Sequence, residues 1–282
     1  MNAWQGINQF LLTYREAFAA MGRTRIWAPF AVLLVIQAGL LALLYFGVRP
    51  PLTDFLRLGM GFVLPEGFFS YPMHLLLLPS VFYSKPLMIL VGVAFEAILL
   101  GAATLMFVRF AARDVVPGLP TALREVRFGY IQFALFWLLN FLLLWGYSEL
   151  YHLTLGDLWI GFARRRAALE ALNVGLSVLI NSLLAYSTVI IVTERTRFGE
   201  TLARTVREFG RHWFATIAMV AIGTAIVWPF QKLLVKAPEW IGRFNPEVML
   251  AAIGASAVSG LLATFLMAAA LTFWYLLHRR TS

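Results

Sequence analysis

A Glu-x-x-His pair is the first arrangement in this sequence that could support chemistry. Glu149 and His152 lie three positions apart, which places both side chains on one face of a helix. Di-iron carboxylate bundles bind metal with two such pairs and further glutamates, but this sequence has one copy. A metal site on the outer face would therefore need His74, Glu66 and Asp157 as additional ligands. A single pair at a helix end is usually interfacial, so we predict neither a metal nor another cofactor.

Glu96 is the second candidate, because it lies in the middle of an apolar segment. In a helix that begins near residue 87 its depth is roughly 13 Å, close to the midplane of a bilayer. A carboxylate facing lipid would cost several kcal/mol, so we expect Glu96 to face other helices. It would be protonated or hydrogen-bonded to Gln37, Asn140 or Asn181. Two interpretations stay open: a proton carrier or a ligand for a cation or substrate, and a structural acid that joins helices.

The composition places these residues in a membrane protein. The chain has 282 residues, of which 61% are hydrophobic and 13% charged, and its mean hydropathy is +0.78. Such a chain has too little polar surface for a soluble domain. Cysteine is absent, which excludes disulfides and thiolate sites. The net charge of +9 follows from arginines at the ends of apolar segments, so we predict no nucleic acid partner.

The elements that position the candidate residues are predicted to be membrane-spanning helices. An even number of spans brings both termini to one side, and most of the 23 Lys and Arg residues fall on that side. We therefore predict an all-α polytopic protein with six transmembrane helices and both termini in the cytoplasm. Residues 164–166, all arginine, lie on the opposite side in this topology. The predicted spans are about 26–47, 87–108, 128–148, 172–193, 213–230 and 248–277.

A short basic pattern indicates an internal repeat. Residues 198–212 have the apolar spacing of an amphipathic surface helix, and Trp213 marks the start of an apolar span. Similar sequences at 13–18 and 124–129 precede two earlier spans. We therefore predict three repeats of surface helix, span, outer loop and span. They cover about 8–110, 118–195 and 198–280.

The pattern Arg-x-Val-Arg-(x)-Phe-Gly occurs at Arg124 and at Arg204, each time before a predicted span. Together with the three-unit, six-helix architecture, it resembles the bacterial integral membrane proteins grouped with the membrane domain of glycerophosphodiester phosphodiesterases and the YciC-like proteins. The resemblance covers most of the chain. It implies a location in the bacterial inner membrane, no established chemistry and no functional residues.

Two other features of the sequence concern packing and docking. Asn173, Ser177 and Asn181 form a polar stripe on the fourth span, for which packing is the favoured interpretation and a pore lining the alternative. The loop 48–86 departs from the repeat: 53–64 is predicted to be an interfacial helix. Residues 68–83 are predicted to be re-entrant or to lie on the surface, as a docking face for lipid or another membrane protein.

Three classes of function remain open from the sequence alone. The favoured class is a structural or accessory membrane protein whose partners are membrane lipids and other integral membrane proteins. The second is a transporter or lipid-handling protein that uses a mid-membrane polar layer centred on Glu96. The third is an intramembrane enzyme, but no catalytic motif is present, and we predict that the protein is not an enzyme. The sequence does not indicate an oligomeric state.

Overall fold

Helices make up almost all of the backbone that the structure describes. The computed structural model describes residues 3–61, 64, 65, 67–70, 73–155, 163–241 and 247–279. In these residues the α-helices are α1 (Ala3–Met21), α2 (Ala28–Phe46), α3 (Leu52–Met60), α4 (Met73–Phe82), α5 (Lys85–Val91), α6 (Ala97–Ala111), α7 (Leu119–Val126), α8 (Tyr130–Leu155), α9 (Ala163–Leu183), α10 (Ser187–Glu194), α11 (Phe198–Ile241) and α12 (Val248–Arg279). Pro29, Pro86 and Pro120 lie in the first turns of α2, α5 and α7, where a missing N–H donor costs nothing.

Six of the helical segments are long and apolar enough to cross a membrane. The chain is therefore an all-α polytopic protein, and the prediction of six transmembrane helices is confirmed. The described residues contain no β-strand. The spans are Thr24–Phe46, Lys85–Ala111, Leu119–Tyr151, Ala167–Glu194, Phe198–Val235 and Val248–Arg279.

The segments predicted to lie on the membrane surface meet at one end of the bundle, which we call the α1 end. There α1 packs apolar side chains against the last turns of α12. Glu125 of α7 pairs with Arg109 at the end of α6, with Oε2 and Nη2 3.4 Å apart. Arg204, in the first part of α11, pairs with Glu194 at the end of α10. All three segments therefore lie where α6, α10 and α12 finish.

The opposite end, which we call the α4 end, has its own ion pairs. Lys85 at the start of α5 lies 2.7 Å from a carboxylate oxygen of Glu149, near the end of α8. Lys232 of α11 lies 2.9 Å from a carboxylate oxygen of Glu170 in α9. The six spans thus alternate in direction between the two ends.

Aromatic rings hold the first, second and sixth spans together. Trp27 stacks on Phe265 with ring centroids 4.3 Å apart, and Phe107 meets the same ring edge-on at 5.2 Å. Phe30 packs on both phenylalanines. Lipid tails are as apolar as these rings, so the contact stabilises the bundle through close packing and not through exclusion of water.

The segment between the first two spans packs on the bundle and does not cross it. α3 occupies most of the stretch predicted as an interfacial helix, 53–64. α4 is apolar but has ten residues, about 15 Å of helix, half of what a crossing needs. Its buried Leu75 and Leu78 belong to an apolar cluster that includes Leu44 of α2 and Ile253 of α12. The cluster holds α4 against the α4 end of the bundle.

The second and fourth spans depart from a regular α-helix. The second contains a π-helical segment, Gly92–Glu96, between α5 and α6. The predicted fourth span, 172–193, lies within the span Ala167–Glu194, and a turn at 184–186 separates α9 from α10 inside it. At this turn the N–H of Ala185 bonds back only three residues, to the carbonyl of Ser182 at 3.3 Å.

The fifth span is continuous with the surface segment that precedes it. His212 has φ −126° and ψ 26°, outside the helical region, and divides α11 into 198–211 and 213–241. The division falls one residue before Trp213, where the sequence predicts the change from a surface helix to a span. Whether the first part lies on a membrane stays a prediction.

Candidate functional site

Glu96 lies at the last position of the π-helical segment, and its side chain faces α8. Its Oε2 accepts a hydrogen bond from the Nε1–H of Trp137, with the atoms 3.2 Å apart. A π-helical turn inside an α-helix is frequent at functional sites, since it changes the direction in which the side chains of that turn point. The amides that we expected as partners, Gln37, Asn140 and Asn181, make no hydrogen bond with Glu96.

The indole ring reaches Glu96 because Gly92 leaves room for it. A Cβ atom on Gly92 would lie 1.9 Å from Cζ2 of Trp137, far inside van der Waals contact. The ring therefore crosses the backbone of the π-helical segment and ends at the carboxylate, one turn further along the chain. Sequence reasoning missed Trp137; the available signal was a glycine four residues before an intramembrane acid.

Asn140 and Asn181 are brought together by α8 and α9. The Nδ2–H of Asn140 donates to Oδ1 of Asn181 at 2.9 Å. Towards the α4 end, the hydroxyl of Tyr147 donates to Oδ1 of Asn173 at 3.1 Å. The hydroxyl of Tyr151 donates to the carbonyl of residue 169 at 2.7 Å. These bonds form an antiparallel polar ladder, in which Asn173 and Asn181 of the stripe face α8 and join it to α9.

Gln37 is separate from the other predicted residues of the polar layer. It lies on α2, and its Oε1 is buried with no hydrogen-bond partner among the described residues. Thus the predicted set of four divides into three parts: an Asn140–Asn181 pair, Glu96 with its indole donor, and Gln37 alone.

A cavity of about 140 Å³ lies between α6, α8, α10 and α12, next to the Asn140–Asn181 pair. Thr104, Thr188 and Thr272 line it, and these residues are equally spaced along the chain. The hydroxyls of Thr104 and Thr272 donate to carbonyls of their own helices, at 2.9 and 2.7 Å. Satisfied in this way, they present mainly methyl groups to the cavity.

Of the outer-face pair, the structure describes the side chain of Glu149, and this carboxylate has partners within the protein. Glu149 pairs with Lys85 and also accepts a hydrogen bond from Nε1–H of Trp145 at 2.9 Å. The Lys85 ammonium lies 4.5 Å from the centroid of the same indole. The side chain of His152 lies outside the described residues, as do Glu66 and Asp157. Among the described residues no three His, Cys, Asp or Glu side chains are grouped for metal binding.

A charged cluster at the α1 end was not predicted from the sequence. The side chain of Glu194 is 10% exposed and contacts Arg204 and the hydroxyl of Tyr275, while Arg279 lies 3.8 Å away. Arg204 also pairs with Glu200 at 2.6 Å. An acid that directly ends an apolar helix and is followed by several arginines was the available signal. The cluster ties the ends of α10 and α12 to the first part of α11.

A wide cleft of about 870 Å³ opens at the α1 end between the start of the first span and the ends of the second and sixth. Arg23, Arg25 and Arg113 line its rim, and all three are exposed. Glu16 and Asp114 are its acidic residues. The floor is apolar and consists of Phe110, Phe273, Leu276 and Leu277. We call this feature the arginine cleft.

Burial raises the pKa of Tyr14, a residue of α1 at this end. The phenol of Tyr14 packs beside the ring of Phe10, with centroids 5.0 Å apart, in the apolar contact between α1 and α12. Desolvation raises the pKa of Tyr14 to about 12.

Comparison with known proteins assigns no family: no family model, no curated protein and no solved structure matches the chain. The resemblance noted in the sequence therefore stays a prediction.

Proposed function

We propose that this protein is a non-enzymatic, multi-pass protein of the bacterial inner membrane that acts as a structural or accessory subunit in contact with other membrane proteins or lipid. The observation that carries the proposal is how the polar side chains at mid-depth are used. Glu96 is bonded to Trp137, and Asn140 to Asn181, in each case across two helices. A transport site needs groups that exchange partners with a substrate, whereas these groups join helices.

The size of the interior cavity also supports this proposal. At about 140 Å³ it has room for a few water molecules, and Glu96 is not among the residues that line it. The hydroxyls of Thr104 and Thr272, which line it, donate to carbonyls of their own helices and not to a bound group.

A transporter or lipid-handling protein is the second candidate. The π-helical segment that ends at Glu96 and the turn at 184–186 favour it, because irregular helices inside a bundle are typical of coupling sites. The two irregularities lie at different depths, however, since the turn is much closer to the end of its span. They therefore do not form a matched pair across the predicted repeats.

Complementation with Glu96→Gln tests the two candidates. The carboxamide keeps an acceptor for Trp137 but cannot carry a proton. In a strain that lacks the gene and grows poorly for that reason, we expect wild-type growth and unchanged complex size in mild detergent. Loss of growth at normal membrane abundance would support proton-coupled transport instead. Glu149→Gln, at the α4 end, is the matched control for removing one acid.

We also propose that the α1 end faces the cytoplasm, with both termini there, because it gathers the arginine-rich segments. The chain has no cysteine, so single cysteines report orientation directly. An impermeant maleimide should label Asp54→Cys and Thr154→Cys in intact spheroplasts. It should label Arg15→Cys, Arg124→Cys and Arg207→Cys only after permeabilisation. The reverse pattern would invert the topology.

The threefold repeat is proposed on two further grounds. The equally spaced Thr104, Thr188 and Thr272, one from each predicted repeat, line the same cavity. Arg113 and Arg195 follow the second spans of the first two repeats, and both have left-handed backbones, with φ 59° and 51°. Superposing 118–195 on 198–279 in an experimental structure should align Thr188 with Thr272. A shift of a helical turn or more would reject the repeat.

A further inference from the structure

We propose that the arginine cleft binds the headgroup of an anionic phospholipid. This site goes beyond the proposed function, because it requires only that the chain lies in a bilayer and holds for a scaffold or a transporter. The inference rests on the charge of the rim, the apolar floor and the position of the cleft relative to the spans.

The rim carries guanidinium groups that the protein itself does not neutralise. No described carboxylate lies within ion-pair distance of Arg23, Arg25 or Arg113. Asp114 is already paired with Arg109, with Oδ2 and Nη1 3.5 Å apart. Three arginines therefore face one remaining acid of the lining, Glu16, and the cleft attracts anions.

The backbone around the rim is held in place. The N–H groups of Arg113 and Asp114 donate to the carbonyls of Phe110 and Arg109, both at 3.0 Å, and fix the left-handed turn after α6. Nη1 of Arg25 donates to the carbonyl of Val116 at 3.4 Å. A guanidinium has five N–H donors, so Arg25 keeps several for a phosphate, which arginine binds in a bidentate manner.

The floor of the cleft selects a lipid over a free phosphate. Phe110 and Phe273 pack with ring centroids 6.1 Å apart, and Leu276 and Leu277 extend this surface along the last turns of α12. Inorganic phosphate would gain nothing from such a surface. The glycerol backbone and first methylenes of a phospholipid would cover it while the phosphate meets the arginines.

The cleft lies at the level where headgroups are found. Arg23 and Arg25 flank the start of the first span at Thr24, and Phe110 and Leu277 belong to the last turns of the second and sixth. Trp27 is two residues from Arg25, and tryptophan is enriched at the membrane interface. Basic pockets between spans at this level are known binding sites for anionic headgroups.

Native mass spectrometry of the delipidated protein in detergent tests the site. The protein is titrated with phosphatidylglycerol, with phosphatidylcholine of the same chains and with inorganic phosphate. Wild type should retain phosphatidylglycerol in preference to the other two. In Arg25→Gln/Arg113→Asn the affinity for phosphatidylglycerol should fall about tenfold. Asparagine is chosen at position 113 because it tolerates the left-handed backbone.

The matched control is Arg124→Gln/Arg207→Gln, which removes two exposed arginines of the same end outside the cleft. It should bind as wild type does. Equal loss in both double variants would show a general surface charge effect and overturn the proposal. Wild type without a preference for phosphatidylglycerol, or arginine-dependent binding of inorganic phosphate as tight as that of the lipid, would also overturn it.

Glu16→Gln gives a second test that does not depend on a loss of binding. It removes the acid that opposes the three arginines at an exposed position of α1. The affinity for phosphatidylglycerol should rise severalfold. Unchanged or weaker binding in a monodisperse Glu16→Gln protein would contradict the site.

Discussion

The indole of Trp137 donates its Nε1–H to Glu96 across 3.2 Å, and the same ring lies on the backbone of Gly92. The Trp137 side chain of α8 thus fills the space beside Gly92 in the second span and gives Glu96 a hydrogen-bond donor. This contact joins the second and third spans near mid-depth, where lipid tails offer no alternative partner.

Trp137→Phe should destabilise the protein by about 1 kcal/mol, because it removes the donor to Glu96 and keeps most of the ring. Glu96→Gln should change stability less, since its carbonyl oxygen still accepts the bond. Unfolding in mixed SDS micelles measures both. A larger loss in Glu96→Gln than in Trp137→Phe would mean that the charge of Glu96, and not its hydrogen bond, stabilises the fold.

Gly92→Ala should cost about 1–3 kcal/mol, because the new methyl group would displace the Trp137 ring. Gly39→Ala and Gly175→Ala are matched controls, with no atom within 4 Å of the added Cβ. The same micelle assay should find the controls as stable as wild type or more so. Equal effects at all three positions would indicate a general loss of glycine flexibility and not a clash.

Asn140 and Asn181 should be energetically coupled. A double-mutant cycle with leucine at each position measures the coupling free energy of the two side chains. We expect about 0.6 kcal/mol, and at most about 1.7 kcal/mol, as for one interhelical hydrogen bond in a membrane. The control cycle pairs Asn140 with Thr224, whose hydroxyl bonds to the carbonyl of Val220 in its own helix at 2.9 Å. It should be additive. Additive effects in the Asn140–Asn181 cycle would show that this hydrogen bond does not contribute to stability.

Glu194→Ala should release the first part of α11 from the end of α10, because Arg204 and Tyr275 lose their shared acceptor. The expected result is faster tryptic cleavage after Arg204 and Arg207 in the detergent-solubilised protein. Glu208→Ala is the control, since that acid lies on the same segment and contacts Arg211 and His212. Unchanged cleavage in Glu194→Ala would show that other contacts dock the segment.

The sequence was sufficient for the spans and for the depth of Glu96, because length and hydropathy report how far a residue lies from the ends of an apolar run. It could not identify Trp137 as the partner of Glu96. Depth does not specify the direction in which a side chain points, and a tryptophan in such a run can equally face lipid. Glu194 was missed because an acid at the end of a span is usually solvated.

The break at 184–186 was also beyond the sequence. Leu184, Ala185 and Tyr186 include neither glycine nor proline, the residues that normally mark an interruption. Tyr186 is fully buried, and its hydroxyl shares a hydrogen bond with that of Thr216 at 2.7 Å. The turn is therefore held by a contact between distant parts of the chain, which local propensity does not report.

The polar ladder between α8 and α9 has a consequence for biogenesis. Each helix carries half of the partners, so α8 alone would leave Asn140 and Tyr147 facing acyl chains. The two helices should therefore leave the translocon as a hairpin. A nascent chain arrested before α9 emerges from the ribosome should cross-link to the translocon through α8, and one arrested after α9 should not. Release of α8 alone would show that the polar side chains of α8 do not need α9 as a hydrogen-bond partner in the lipid.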